Sequence, residues 1–224
     1  MVEKYIDSLT CSYRGQQNDS IAQQQKAYLK DQFDFFGLKT PLRRAIQKPF
    51  FEREYLPSKT EAVHIIKELW LKPEREFHYF AQELMMKFKN KLDEEDMELI
   101  EYMITNNSWW DTVDMIASNL VGAYFKRYPG KKRALMLQWS ESDDMWIRRT
   151  SIIFQLKYKE ETDTELLSKT IENNLGSKEF FINKAIGWAL RTYSAIDSEW
   201  VEDFVDNHPN LANLSKKEAL RSIT

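Results

Sequence analysis

Apolar residues along the 224-residue chain recur three and four positions apart over long stretches and nowhere alternate with polar ones in the manner of a strand. That spacing predicts amphipathic helices from end to end. After a polar opening, the first is expected over 23–36, with Gly37 as its C-terminal stop. Thr40 as N-cap and Pro41 at the first helical position open another, which carries Arg43, Arg44 and Lys48 before Pro49 and Pro57 bracket a loop. From there the helices come in pairs: 60–71 with 74–89, 93–105 with 109–126, 131–140 with 145–158, and 164–173 with 178–193. A helix over 198–207 and a short one after Ser215 close the chain.

The pairs repeat at a period close to 35 residues. Steps of 35 from Asp114 reach Arg149 and Lys184 going forward, and Tyr79 and Arg44 going back, all polar. The residues that follow each of them are small or apolar, Ala45-Ile46, Phe80-Ala81, Met115-Ile116, Thr150-Ser151 and Ala185-Ile186, apart from the hydroxyls of the fourth pair. Such a period in a helical chain implies stacked helix pairs, each burying its apolar face only against its neighbours. The Trp, Leu-Gly and Tyr positions of tetratricopeptide repeats are missing, and HEAT-like repeats fit better. The expected architecture is therefore all-α, a right-handed α-solenoid of HEAT-like repeats forming one domain over 1–224, with Arg44, Tyr79, Asp114, Arg149 and Lys184 in a column on its concave face.

Composition supports this reading and narrows the chemistry. Six Val, six Gly and six Pro are few for the length. The lone Cys11 allows no internal disulfide, and His64, His78 and His208 have no ligand-like spacing, so a metal site is not expected. No apolar leader or run of eighteen apolar residues is present, which makes a cytoplasmic protein the expectation. A net charge of −3 gives no support to nucleic-acid binding by itself. The acidic runs, however, fall mostly in connections and first helices, which leaves the expected column of Arg, Lys and Tyr free to line a basic groove. Solvated faces of helical repeats also commonly carry Arg and Lys, so the column alone leaves both readings open.

The stretch Ser108-Trp109-Trp110-Asp111-Thr112-Val113-Asp114 is the densest in chemistry. Ser108 with Asp111 three positions later reads as a capping box. Trp109, Val113, Ile116 and Leu120 form a core stripe, and Trp110 and Asp114, four apart, share a neighbouring face. An indole and a carboxylate on one face suit a cationic group. The alternative is a rim Asp that pairs with a nearby Arg or Lys. Trp188, four residues beyond Lys184, lies beside the same column.

With Trp110, Asp114, Arg149 and Trp188 on one face, the chain resembles the AlkD-like DNA alkylation-repair glycosylases over nearly its whole length. The most telling stretches are 27–30 with 36–41, Pro73-Glu74-Arg75-Glu76-Phe77, 108–114, 153–159 and 177–191. The resemblance implies a monomeric solenoid that wraps double-stranded DNA and removes positively charged N3- or N7-alkylated purines without drawing the base into a pocket. It implies no metal or cofactor. In the family a Trp and an Asp four apart, with a later Trp, surround the lesion's deoxyribose, and those catalytic roles fall on Trp110, Asp114 and Trp188. A backbone-contacting Arg falls on Arg149, and Arg44 and Lys184 would bind DNA beside it. The family's early Tyr falls on Tyr28, whereas Lys39 stands where the family has Gln and would hold a phosphate instead. An ionised Asp114 about 4 Å from a cationic sugar would contribute roughly 4 kcal/mol at an effective dielectric of about 20. Two other readings are a non-catalytic relative that binds bent or branched DNA and a protein-interaction scaffold.

Overall fold

The computed structural model describes residues 2–223. Among them all regular structure is helical, relieved by one isolated bridge between Asp34 and Glu74. They divide into two compact units, the first ending at Lys91 and the second beginning at Leu92.

The first unit contains α1 (Val2–Arg14), α2 (Asp19–Tyr28), α3 (Thr40–Gln47), α4 (Lys59–Trp70) and α5 (Arg75–Met86). Helix α1 lies within the polar opening, where no helix was expected. Its sparse stripe Ile6, Leu9 and Tyr13, three and four apart, is nonetheless buried. Ser58 and Glu61 cap α4 reciprocally, each side chain accepting from the other's backbone N–H.

Between α2 and α3 the chain departs from the expected helix over 23–36. Lys30 and Asp31 both take positive φ, which ends α2 near Tyr28. The following segment is held by Glu76, a fully buried carboxylate that accepts from the backbone N–H groups of Phe36, Gly37 and Leu38 at 3.0–3.1 Å. Burial pushes its carboxyl above the usual glutamate range, and the three backbone donors oppose that push. Gly37 does not stop a helix. It has φ +84°, and a Cβ there would lie 2.0 Å from the Asn18 carbonyl oxygen, so the close approach of two backbones is what requires glycine. Lys39 rather than Thr40 is the N-cap of α3, with Pro41 in the first turn.

The second unit contains α6 (Asp96–Thr105), α7 (Trp110–Met115), α8 (Gly122–Arg127), α9 (Pro129–Ser140), α10 (Met145–Ile153), α11 (Thr164–Glu172), α12 (Phe180–Ser194), α13 (Ser198–Asn207) and α14 (Asn213–Leu220). The later helices match the expected spans within a few residues, except α10, which ends five before Tyr158. Asp144, Asp163 and Asp197 start α10, α11 and α13 by accepting backbone N–H groups. The expected helix over 109–126 is present but not uniform. A π-helical turn, Ile116–Val121, separates α7 from α8. The expected capping box at 108–111 does not form: Trp109 is the N-cap, and the Ser108 hydroxyl donates back to the Ile104 carbonyl at the end of α6.

The period of the sequence reappears as a spacing between partners. Tyr158 Oη donates to Gly122 O, 36 residues away, Asn174 Nδ2 to Ser140 O, 34 away, and Ser215 Oγ to Asn183 O, 32 away. Helix α10 packs against α9 and α12, and α12 against α13 and α14, around Ile152, Ile153, Ile182, Ala185, Ile186, Leu190 and Val201. Helix α14 approaches α12 so closely that a Cβ on Gly187 would sit 2.5 Å from Glu218 Cβ and 3.0 Å from Ser215 O.

Glu76→Gln tests the anchor of the 36–38 segment. Its amide nitrogen would face one backbone N–H and leave that donor unsatisfied, so stability should fall by about 1–3 kcal/mol. Urea unfolding measures it, and a midpoint indistinguishable from the unsubstituted protein would show that the segment is held by other contacts.

Candidate functional site

Two helices of the second unit supply the site. On α7 the buried residues Thr112 and Val113 turn inward and leave Trp110 and Asp114, one turn apart, on the adjoining half-buried face. On α12 the core stripe Ile182, Ala185, Ile186, Ala189 and Leu190 fixes the rotation of the helix. That rotation puts Lys184, Trp188 and Arg191, spaced four and three apart, on a neighbouring face. Trp110, Asp114, Arg149, Phe180, Phe181, Lys184, Trp188 and Arg191 together line a cavity of about 290 Å³.

At its base Arg149, on α10, meets Asp114 with two parallel hydrogen bonds, Nε to Oδ1 at 2.7 Å and Nη2 to Oδ2 at 2.8 Å. The remaining terminal nitrogen of Arg149 donates to the Phe181 carbonyl. The Arg149 side chain is 4% exposed and that of Asp114 17%. Burial pushes the Asp114 carboxyl above its usual range; the Arg149 hydrogen bonds and charge pull it down without cancelling that push, and Asp111 adds to it. The alternative reading of Asp114 as an acid paired with a nearby Arg is therefore present in the structure. Its partner is the residue one period along, and the pair lines the cavity instead of standing apart from it.

Trp109 packs edge-on against Phe181 and tilted against Trp146, with ring centroids 5.3 and 5.6 Å away, which agrees with its expected packing role. At the other side of the cavity Lys184 Nζ lies 2.5 Å from Glu218 Oε1, and an Arg191 terminal nitrogen 2.6 Å from Glu218 Oε2. The Lys184 hydrogen bond holds the Glu218 carboxyl below the usual glutamate range.

The structure thus brings together Trp110, Asp114, Arg149, Lys184 and Trp188. Tyr28, Lys39 and Arg44 belong to the first unit. There Tyr28 is 69% exposed at the end of α2, Lys39 is exposed at the α3 N-cap, and Arg44 points a largely exposed guanidinium toward Glu83, its Nε at 3.5 Å. Arg43, named with Arg44 in the sequence but not as a site residue, is the buried one of the two arginines, bonded to both Gln47 and Glu83. Arg191, Glu218 and the Phe180-Phe181 pair were also missed. Arg191 was available as the residue seven beyond Lys184, but Glu218 arrives from a helix whose sequence carries no cue to this site. Among the described residues no three His, Cys, Asp or Glu side chains gather as a metal site, and no helix is long and apolar enough to cross a membrane.

Arg149→Met should destabilise the fold by about 3–5 kcal/mol, because it leaves a buried carboxylate without its partner. Adding Asp114→Asn should restore a substantial part of the loss, a coupling that a double-mutant cycle in urea reads directly. Additive losses would mean that the two side chains contribute independently.

The comparisons with known proteins agree with one another. A solved structure described as a predicted DNA alkylation repair enzyme from Enterococcus faecalis is 29% identical to this chain, with a TM-score of 0.87, and the match covers 93% of this chain and 97% of that one. No curated protein matches. The family model described as DNA alkylation repair enzyme matches residues 12–223, and with nearly the whole sequence inside it the chain belongs to the DNA alkylation repair enzyme family.

Proposed function

We propose that the chain is a monofunctional DNA glycosylase of the AlkD-like kind, a HEAT-like α-solenoid that excises positively charged N3- or N7-alkylated purines from double-stranded DNA as a monomer in the cytoplasm. The observation that carries the reading is the convergence of Trp110, Asp114 and Trp188 on one small cavity from two helices, α7 and α12, that are distant in sequence. Its volume, about 290 Å³, is at the low end for ligand sites and suits a deoxyribose better than a whole alkylated nucleotide.

Alkylation at N3 or N7 already makes the purine a cation, so no acid is needed to protonate the leaving group. As the C1′–N bond lengthens, its electron pair departs with the base and neutralises it, while positive charge develops on the sugar. The π-faces of Trp110 and Trp188 favour that charge by about 0.5–2 kcal/mol each. Asp114 supplies the opposite charge and accepts a hydrogen bond from the attacking water. Water adds to C1′, its proton passes to solvent, and an abasic site remains. Undamaged purines are spared because they leave too slowly, so the site has no need to grip the base.

Arg149 modifies this scheme. All of its described hydrogen bonds go to Asp114 and to the Phe181 carbonyl, and its side chain is 4% exposed. The geometry favours a positioning role over the expected contact with the DNA backbone. It fixes the plane of the carboxylate, leaves one lone pair on each oxygen, and offsets part of the negative charge. Asp114 therefore contributes less than the roughly 4 kcal/mol of an uncompensated carboxylate. The same offset is what favours the second reading, a relative that binds DNA without cleaving it, and Lys39 in place of Gln adds to it.

Duplex carrying N7-methylguanine, incubated with the protein and then treated with alkali to cleave abasic sites, distinguishes the two. Wild-type protein should yield cleaved strand, and Asp114→Asn should slow excision by about a hundredfold. Binding without product would establish the non-catalytic reading. The pH profile has a definite sign. The ionised carboxylate is the active form, and burial raises its pKa above 3.8, so the single-turnover rate should be full above that raised value and fall as pH drops through it. A rate independent of pH down to 3.8 would show that Asp114 ionisation is not used.

A further inference from the structure

We propose that Glu218 is a positioning residue for phosphate recognition: it holds Lys184 and Arg191 in place on α12 so that their remaining N–H donors form a two-point cradle for one phosphate of a nucleic-acid backbone. The inference rests on the reading of the cavity as a sugar site and extends it to the group next to the sugar. A deoxyribose between Trp110 and Trp188 carries phosphate on its 3′ and 5′ oxygens, and Lys184 and Arg191 stand one turn before and one turn after Trp188 on the same face.

Charge accounting singles out this side of the cavity. Asp114 and Arg149 neutralise one another at its base. Lys184 and Arg191 share a single carboxylate, which leaves one positive charge in excess. Each cation spends one donor on Glu218, out of three on an ammonium and five on a guanidinium, so the others remain for an anion. Glu218 is the most covered of the three side chains, 12% exposed against 39% for Lys184 and 28% for Arg191, and its lowered pKa keeps it charged. It is the fixed member of the set, and the cations are the accessible ones.

The backbone beneath is built to fix it. Only glycine at 187 admits Glu218 Cβ at this approach, and Ser215 Oγ donates to Asn183 O at 2.8 Å, one turn before Glu218 on α14. Two long cationic side chains would otherwise lose rotamer freedom when a phosphate binds, and an ion pair already formed in the free protein removes much of that cost.

The proposal predicts an outcome opposite in sign to simple charge counting. Glu218→Gln raises the net charge by one, which should tighten binding if Glu218 merely repels DNA. A positioning role requires the reverse. Binding is measured by fluorescence anisotropy, over a range of salt, on duplex containing a tetrahydrofuran abasic site that the protein has no base to remove from. Glu218→Gln should weaken binding about three- to tenfold and make the dependence of log K on log salt shallower by about one phosphate contact. In a Lys184→Gln/Arg191→Gln background the same substitution should have no further effect. Asn174→Ala removes the hydrogen bond to Ser140 O, away from the cavity and from α14, and should lower the unfolding midpoint while leaving the salt slope intact.

Unchanged or tighter binding by folded Glu218→Gln overturns the proposal, as does an equal loss in Asn174→Ala. Should Glu218→Gln fail to fold, Lys184→Gln and Arg191→Gln decide: if neither weakens binding, there is no cradle. Wild-type protein that binds with the expected salt slope yet excises nothing refutes the glycosylase reading and leaves the cradle standing.

Discussion

The two hydrogen bonds from Arg149 to Asp114 are the interaction around which the second unit's site is arranged. They join α7 to α10, and through the Phe181 carbonyl Arg149 also reaches the start of α12, so one guanidinium touches all three helices that line the cavity. A carboxylate as buried as Asp114 is tolerable only with such a partner. The partner in turn needs the carboxylate, because a guanidinium does not lose its charge on burial. Each residue thus makes the other's position possible, and the aromatic lining, Trp110 on α7 and Phe181 and Trp188 on α12, is placed by the helices that this pair connects.

The separation of 35 between Asp114 and Arg149 is the period of the sequence. The period could be read in the sequence because it is carried by many residues at once. The helix spans of the second unit were legible for the same reason, and Trp110, Asp114 and Trp188, read as neighbours, line one cavity. What was not legible depended on single contacts. The capping box at Ser108 satisfied every local rule, yet its hydroxyl turned back to the Ile104 carbonyl, a competing acceptor that a sequence pattern does not reveal. The helix expected over 23–36 failed because Lys30 and Asp31 take positive φ, which neither side chain announces.

Glu218 shows the limit of register arguments. Thirty-five residues beyond Lys184 is Ala219, fully buried, so the period points one residue past the acid that meets Lys184. A slip of one position on a helix turns a side chain through about 100°. Here a slip of one position decides whether a charge faces the core or a cation. Glu76 is a comparable case in the first unit: only the fold supplies the three backbone donors that meet its buried carboxylate.

The π-helical turn Ile116–Val121 bears on how such a chain tolerates insertions and deletions. A π turn accommodates one extra residue within a continuous helix, so the helical phase before it differs from the phase after it. Asp114 lies on the near side, and Tyr124 and Phe125, buried in the core, lie on the far side. Loss of one residue from the turn would restore regular α-helix at little cost in backbone hydrogen bonds while rotating Trp110 and Asp114 relative to that core. The segment most able to absorb a length change without unfolding is therefore the one in which a length change would most directly dismantle the site.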